Sequence, residues 1–282
     1  MRDAKNRQLI ALTIGLLLAH PLVALAAGPT PGGERLQGLK LIEAALAASD
    51  AGGDEWKKLS AAYDDLVAAD PGSADALSAR GEFRWERGDH APAVEDWQAA
   101  LRIDLRQAGA LSGLAGAALA AGDAPQAAAL YRQAVSAQPQ YAPAHFALAN
   151  VLFLFRHELR DDTHPNEASL VGDALRHFAA AARLVPADIG YARAYAETFY
   201  SLPQPDWEQA RQAWEAVRDL SPAKDFALVN LARIHLRMGH FDTAKECLRQ
   251  VQNPAFQRIK DRLEAQLTTP SARSEAPIPL PP

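Results

Sequence analysis

A pattern of small and aromatic residues returns every 34 positions, and it constrains this chain more than any other feature of its sequence. Ala93, Trp97 and Ala100 recur as Ala127, Tyr131 and Ala134, then as Ala174, Phe178 and Ala181. They return again as Ala210, Trp214 and Val217, and finally as Ala244, Leu248 and Val251. The steps between the leading alanines are 34, 47, 36 and 34, and 34 residues before Trp97 and Ala100 stand Tyr63 and Leu66. A proline follows at constant offset at Pro71, Pro139, Pro186 and Pro222, with Leu105 and Phe256 in the two equivalent places. A second series of small residues runs upstream: Ala47, Gly81, Ala115, Ala149, Ala196 and Ala232. From each of these to the next leading Ala or Leu the distance is 12 in four units, 25 in the unit that begins near Ala142, and 14 in the one after it. Thirteen extra residues and then two therefore fall between the halves of successive units.

Helix geometry explains the pattern. Each half carries apolar residues three and four apart over about 12 to 15 positions, the spacing of an amphipathic helix. Small residues at fixed positions let two helices approach, and the aromatic four residues after the alanine fills the space between them. Gly88-Asp89, Gly122-Asp123 and Gly239-His240 predict the turn inside a unit, because glycine accepts the left-handed conformation that ends a helix. The prolines mark where the second helix stops.

The segment from Ala108 to Tyr141 carries Leu111, Leu114, Ala115, Gly122, Ala127, Tyr131, Ala134 and Pro139. In that order and spacing it resembles the tetratricopeptide repeat. The resemblance covers about six units, near 35–73, 74–107, 108–141, 142–188, 189–224 and 225–258, with a capping helix over 256–267. It implies an all-α, right-handed superhelical solenoid of antiparallel helix pairs over 35–267. One such unit cannot bury its own apolar face, so the six are expected to share one continuous core. The family shares an architecture and not an activity.

The resemblance also implies where a partner would sit. In such arrays the first helix of each unit lines a concave groove. The inward positions are Glu82, Trp85 and Glu86, then Gly116, Leu119 and Ala120, then Asn150, Phe153 and Leu154. Glu197, Tyr200 and Ser201 follow, and then Arg233, Leu236 and Arg237, with Ser78, Ser112, Phe146, Arg193 and Val229 one turn earlier in their helices. The expected groove is acidic at the front, aromatic in the middle and basic at the back, with Gly113 and Gly116 leaving room for a ligand backbone. The partner-binding set is Trp85, Glu82, Phe146, Asn150, Phe153, Arg193, Glu197, Tyr200, Arg233 and Arg237. The clamp that chaperone co-factors use for a C-terminal carboxylate is not assembled, since Phe146 and not a lysine stands one turn before Asn150, and Asn230 follows a unit that carries Glu197.

The ends of the chain differ in kind. Arg2, Lys5 and Arg7 precede an apolar run from Leu9 to Ala19, His20-Pro21 interrupts it, and Ala24-Leu25-Ala26 offers small residues at alternate positions. This predicts a signal peptide over 1–26, cleaved after Ala26 or Ala27, with an uncleaved anchor as the alternative. A short linker (27–34) follows it, and at the other end a tail over 268–282 with five prolines is expected to be disordered. Removal of Arg2, Asp3, Lys5 and Arg7 leaves 26 basic and 33 acidic residues, so the net charge falls from −5 to −7. An acidic chain lacks the electrostatic footprint for nucleic acid or an anionic membrane surface. The single cysteine, Cys247, excludes an intramolecular disulfide and fits a small buried hydrophobe.

The sequence carries no signature of catalysis. His157-Glu158 begins like the zinc motif H-E-x-x-H, but the position four after His157 is Asp161. A Gly-rich phosphate loop, a G-x-S-x-G elbow and paired cysteines are all missing. The insertion from Arg156 to Asp173 gathers His157, Glu158, Asp161, Asp162, His164 and Glu167, which fits a solvated turn, a docking loop or a weak cation site. These observations predict a non-enzymatic scaffold with no cofactor or metal, exported to the periplasm or medium, whose groove holds a segment of another envelope protein. The alternative is a carbohydrate-binding helper in polysaccharide export or modification, with Trp85, Phe153 and Tyr200 stacking on sugar rings.

Overall fold

Wherever the two apolar stripes of the repeat occur, each folds as a helix. The computed structural model describes residues 32–49, 52–161 and 166–268. Among the described residues there are thirteen α-helices, two 3-10 turns and no strand. The signal segment, residues 27–31 of the linker, Asp162 and His164 of the insertion, and all of the tail after Thr268 lie outside the described residues.

The chain divides into two compact units, Met1–Pro139 and Gln140–Pro282. The first contains α1 (Gly32–Ala47), α2 (Gly53–Ala69), α3 (Ala74–Glu86), α4 (His90–Ile103), α5 (Ala108–Ala120) and α6 (Ala124–Ala137). The second contains α7 (Ala142–Leu154), α8 (Glu167–Leu184), α9 (Ile189–Thr198), α10 (Trp207–Leu220), α11 (Asp225–Arg237), α12 (Phe241–Gln250) and α13 (Gln257–Thr268). Helices pack in consecutive pairs, α1 on α2 through α5 on α6 and α7 on α8 through α11 on α12, and within each unit every pair also contacts the next.

The two residue series hold the pairs together. The leading alanines Ala93, Ala127, Ala174, Ala210 and Ala244 are fully buried, and so are Ala115, Ala149, Ala196 and Ala232 of the facing helices. Between them lie Tyr63, Trp97, Tyr131, Phe178, Trp214 and Leu248, all buried. The turn glycines behave as their sequence context predicts: Gly88, Gly122 and Gly239 have φ of 89°, 84° and 77°. At each, the next residue's N–H reaches back to the carbonyl five residues earlier, as in Asp123 to Ala118 at 2.9 Å, closing a Schellman turn. Helix starts are capped by Ser73, Asp123, Asn166, Asp188 and Asp206, whose side chains accept from backbone N–H groups of the first turn.

The first pair departs from the expected register. Ala47 is exposed and ends α1, so it is not the small residue at a helix crossing; Gly38, Leu39, Ile42 and Leu46 form the buried stripe instead. The Gly52-Gly53 step explains the shift, because Gly52 is extended at ψ 169° and starts α2, so α1 stops about a turn earlier than an exact 34-residue period requires. The thirteen-residue insertion enters partly as helix: α8 has 18 residues where α4, α6 and α10 have 14. The two-residue expansion near Tyr200 is absorbed by a shortened α9 that runs into the 3-10 turn Phe199–Ser201. At the C-terminal end α13 lays Leu263 and Leu267, both buried, against α11 and α12.

Candidate functional site

In the first unit the candidate face lies on α1, α3 and α5. Lys40 on α1 pairs with Glu82 on α3 at 3.3 Å, both half-exposed. Tyr63, fully buried, donates to Glu43 Oε2 at 2.7 Å. Burial is the main cause that raises the Glu43 carboxyl above its usual range, with Glu86 and Glu82 adding to it against the Tyr63 hydrogen bond and Lys40. Trp85 is half-buried and already occupied within the unit, its ring 4.2 Å from His90 and 5.5 Å from Trp97.

Trp97 corrects one expectation about this face. Its indole is wedged between α3 and α5: a Cβ on Gly81 or on Gly113 would fall under 3.0 Å from ring atoms, and Nε1 donates to the Ser78 carbonyl at 3.2 Å. The room at Gly113 thus belongs to Trp97 and not to a ligand backbone, whereas a Cβ on Gly116 would meet only Tyr131 Oη at 3.7 Å. Ser78 and Val229 are likewise buried, and neither lines an open surface as the helix positions predict.

The sequence reading missed an ionic cluster beside this face. Asp96, 4% exposed, accepts Arg80 Nε at 3.0 Å and Nη2 at 2.6 Å, and Arg84 Nη1 at 2.9 Å. Asp64 on α2 accepts the remaining arms of both arginines at 3.0 and 2.9 Å. The available signal was Asp96 itself, a carboxylate directly before the wedge aromatic, where the later units carry Leu130, His177, Ala213 and Cys247.

In the second unit the candidate residues are linked from helix to helix. Phe146 on α7 packs 5.6 Å from Phe178 and 4.7 Å from Tyr191 on α9. Asn150 turns back on its own helix, donating to the Phe146 carbonyl at 3.0 Å. Arg193 on α9 pairs with Glu197 at 2.7 Å and lies over the Phe226 ring of α11 at 4.6 Å. Tyr200, in the 3-10 turn, donates to Asn230 Oδ1 of α11 at 3.2 Å while its ring packs near Trp207 and Trp214. Burial pushes its phenol well above the usual range. Arg233 donates to the same Asn230 oxygen at 3.2 Å, and Arg237 is exposed one turn on.

Phe153 lies apart from that row, half-buried under the Arg156 guanidinium at 5.5 Å. Arg156 also donates to the Phe153 carbonyl at 2.7 Å and to Glu167 at 3.0 Å, and His157 Nδ1 lies 2.9 Å from Glu167. A cavity of about 450 Å³ opens here, lined by Arg156, Glu167, Ala168, Val171, Ser201, Leu202 and Pro203. Among the described residues no group of three or more His, Cys, Asp or Glu side chains is arranged to hold a metal ion. Nor is any described helix long and apolar enough to cross a membrane.

A family model of the tetratricopeptide repeat matches residues 227–253, which run from α11 through the Gly239 turn and α12. The pairs from α3–α4 to α9–α10 repeat its small residues around a buried wedge, aromatic where this pair has Leu248, and α3–α4 and α5–α6 repeat its glycine turn. Residues 227–253 are a tetratricopeptide repeat. The chain is similar in fold to the crystal structure of YrrB, a TPR protein with an unusual peptide-binding site: the TM-score is 0.54 at 14% identity, covering 73% of this chain and 99% of that one. It is also similar to PilF of Pseudomonas aeruginosa, with a TM-score of 0.55 at 16% identity over 83% of this chain and 99% of that one. At these identities the likeness is one of fold. No curated protein matches the sequence.

Proposed function

We propose that this protein is a non-enzymatic scaffold of the bacterial envelope that holds a segment of another protein against its first helices. The observation that carries the reading is the linked row in the second unit. Phe146, Arg193 and Tyr200 reach from one first helix to the next, Glu197 and Arg233 join them within their own helices, and aromatic edges and charged groups stay partly open to solvent. Such mixed aromatic and arginine surfaces suit recognition of protein segments. The similar fold of YrrB, a TPR protein with an unusual peptide-binding site, supports the same class of partner. The envelope part rests on the basic start, apolar run and Ala24-Leu25-Ala26 of the N-terminus. A carbohydrate partner is less well supported, because the Trp85 ring is stacked within its own unit and the Tyr200 hydroxyl is already bonded.

Site-directed photo-crosslinking in the native host tests both parts. A crosslinking residue at Phe153, Arg193 or Arg237 is expected to capture one protein, while the same residue at Gln133 or Gln212, exposed on second helices, captures none. Intact mass should show a mature chain that begins at Ala27 or Gly28. Capture from the second-helix positions alone would move the binding surface elsewhere, and a mature chain retaining Met1 would remove the cleaved-signal assignment.

A further inference from the structure

Arg233 is unusual among the arginines of the second unit. Its Nε is buried and has no hydrogen-bond partner, and its one hydrogen bond, from Nη1, goes to a neutral amide oxygen at 3.2 Å. Among the described residues no carboxylate pairs with it. Arg156, Arg193, Arg211, Arg218 and Arg249 all have one. A half-buried guanidinium with a buried Nε and no counter-charge carries a desolvation cost, so its presence calls for an account.

The surroundings are ordered in a way that favours an incoming anion. Asn230 is 1% exposed and fixed on three sides: its Nδ2 donates to the Phe226 carbonyl at 2.9 Å, and its Oδ1 receives both Tyr200 Oη and Arg233 Nη1. That network holds the guanidinium in place without neutralising it. Arg262 of α13 adds a second positive charge that Arg233 feels, and Arg237 a third that reaches Tyr200. The acid whose charge acts on Tyr200, Glu197, is engaged by Arg193 at 2.7 Å. Burial first, and the Arg262 charge after it, make Arg233 less basic than an ordinary arginine, a penalty that a bound anion would reverse.

We infer that Arg233, supported by Asn230 and Tyr200 and flanked by Arg237 and Arg262, is a preformed seat for a carboxylate carried by the partner segment. The inference rests on the scaffold reading above and adds the chemistry of the contact. A carboxylate matches the outer edge of the guanidinium, where Nη2 has no hydrogen-bond partner among the described residues, and it supplies there the charge-assisted contact that no described carboxylate makes. The residue set differs from the lysine-and-asparagine clamp that the sequence does not assemble, because it uses a half-buried arginine, a tyrosine hydroxyl and one asparagine.

Two arms of one experiment test it on the mature chain. The side-chain Nε–Hε resonance of Arg233, assigned by its loss in Arg233→Lys, is followed by NMR during titration with sodium acetate, sodium phosphate or sodium chloride. Acetate is expected to shift it saturably while chloride does not. No saturable shift with acetate, or saturation by phosphate alone, overturns the carboxylate seat. In the second arm, peptides selected from a random library on the wild-type chain are expected to carry a required Asp or Glu. Changing that residue to Asn or Gln, or making Arg233→Gln, should weaken binding by about tenfold or more, and the two changes together should cost little beyond either alone. Arg233→Lys serves as the folded, charge-retaining control. Peptides that bind with no acidic requirement sink the seat and leave the scaffold reading standing. Saturation by acetate with no peptide selected sinks the scaffold reading and the partner assigned to the seat.

Discussion

Gly113 and Gly116 sit one turn apart on α5 and look alike in the sequence, yet the structure gives them opposite roles. Gly113 presses on the Trp97 indole, which Gly81 confines from the far side and the Ser78 carbonyl holds by its Nε1. The ring has nowhere to move, so Gly113→Ala should overpack the contact and cost about 3 kcal/mol. Gly116 has only an ordinary contact with Tyr131, so Gly116→Ala should gain up to about 1 kcal/mol from helix propensity. Urea unfolding of the two variants checks the pair, and equal midpoints would mean that Trp97 is not wedged where the structure puts it. The wedge series Tyr63 to Leu248 was legible in the sequence because burial by a local period leaves a periodic trace. The partner of Gly113 was not, because it depends on how one pair stacks on the next. Arg233 shows the same limit: position places an arginine on a helix face, but only three dimensions show that no acid among the described residues meets it.

At the scale of the helices, the pairing was readable and the exact ends were not. Gly88, Gly122 and Gly239 announced three turns because a left-handed residue is nearly a requirement of that geometry. Ala47 misled because an exact period was carried into a unit whose loop is built on Gly52-Gly53. The Asp64–Arg80–Arg84–Asp96 cluster ties α2, α3 and α4 together, with Asp96 as the buried member. Asp96→Asn would keep the shape and leave two arginines facing a lone Asp64. Breaking a buried pair from one side typically costs 3–5 kcal/mol, and because Arg80 and Arg84 keep 16% and 24% exposure the loss here should be nearer about 2 kcal/mol. Chemical denaturation would measure it. A change below about 0.5 kcal/mol, the range of ordinary surface substitutions, would show that the cluster is solvated and contributes little.

For the molecule as a whole, the two units should respond to acid in opposite directions. In the second unit His235 is 8% exposed with Nδ1 lacking a hydrogen-bond partner. Burial, then the charges of His240 and Arg211, depress its pKa below the ordinary 6.5 against the pull of Glu215 and Glu208. The unfolded chain therefore binds that proton more readily, and the stability linked to neutral His235 is present above pH 6.5 and is lost as pH falls through the depressed value. In the first unit Glu43 is raised above 4.5 by burial, helped by Glu86 and Glu82 and opposed by Tyr63 and Lys40. Here the folded state binds the proton more readily, so the contribution is complete below pH 4.5 and is lost as pH rises through the raised value. Acidification from pH 7 toward pH 5 should then loosen α11 and α12 and tighten α1 and α2. Hydrogen exchange at the two pH values, corrected for intrinsic rates, would show protection falling in 225–250 and rising in 32–69. His235→Leu should abolish the first change and Glu43→Gln the second, each leaving the other intact. If both regions moved together in the parent, or if neither variant altered its own region, these two groups would not be the source of the pH response.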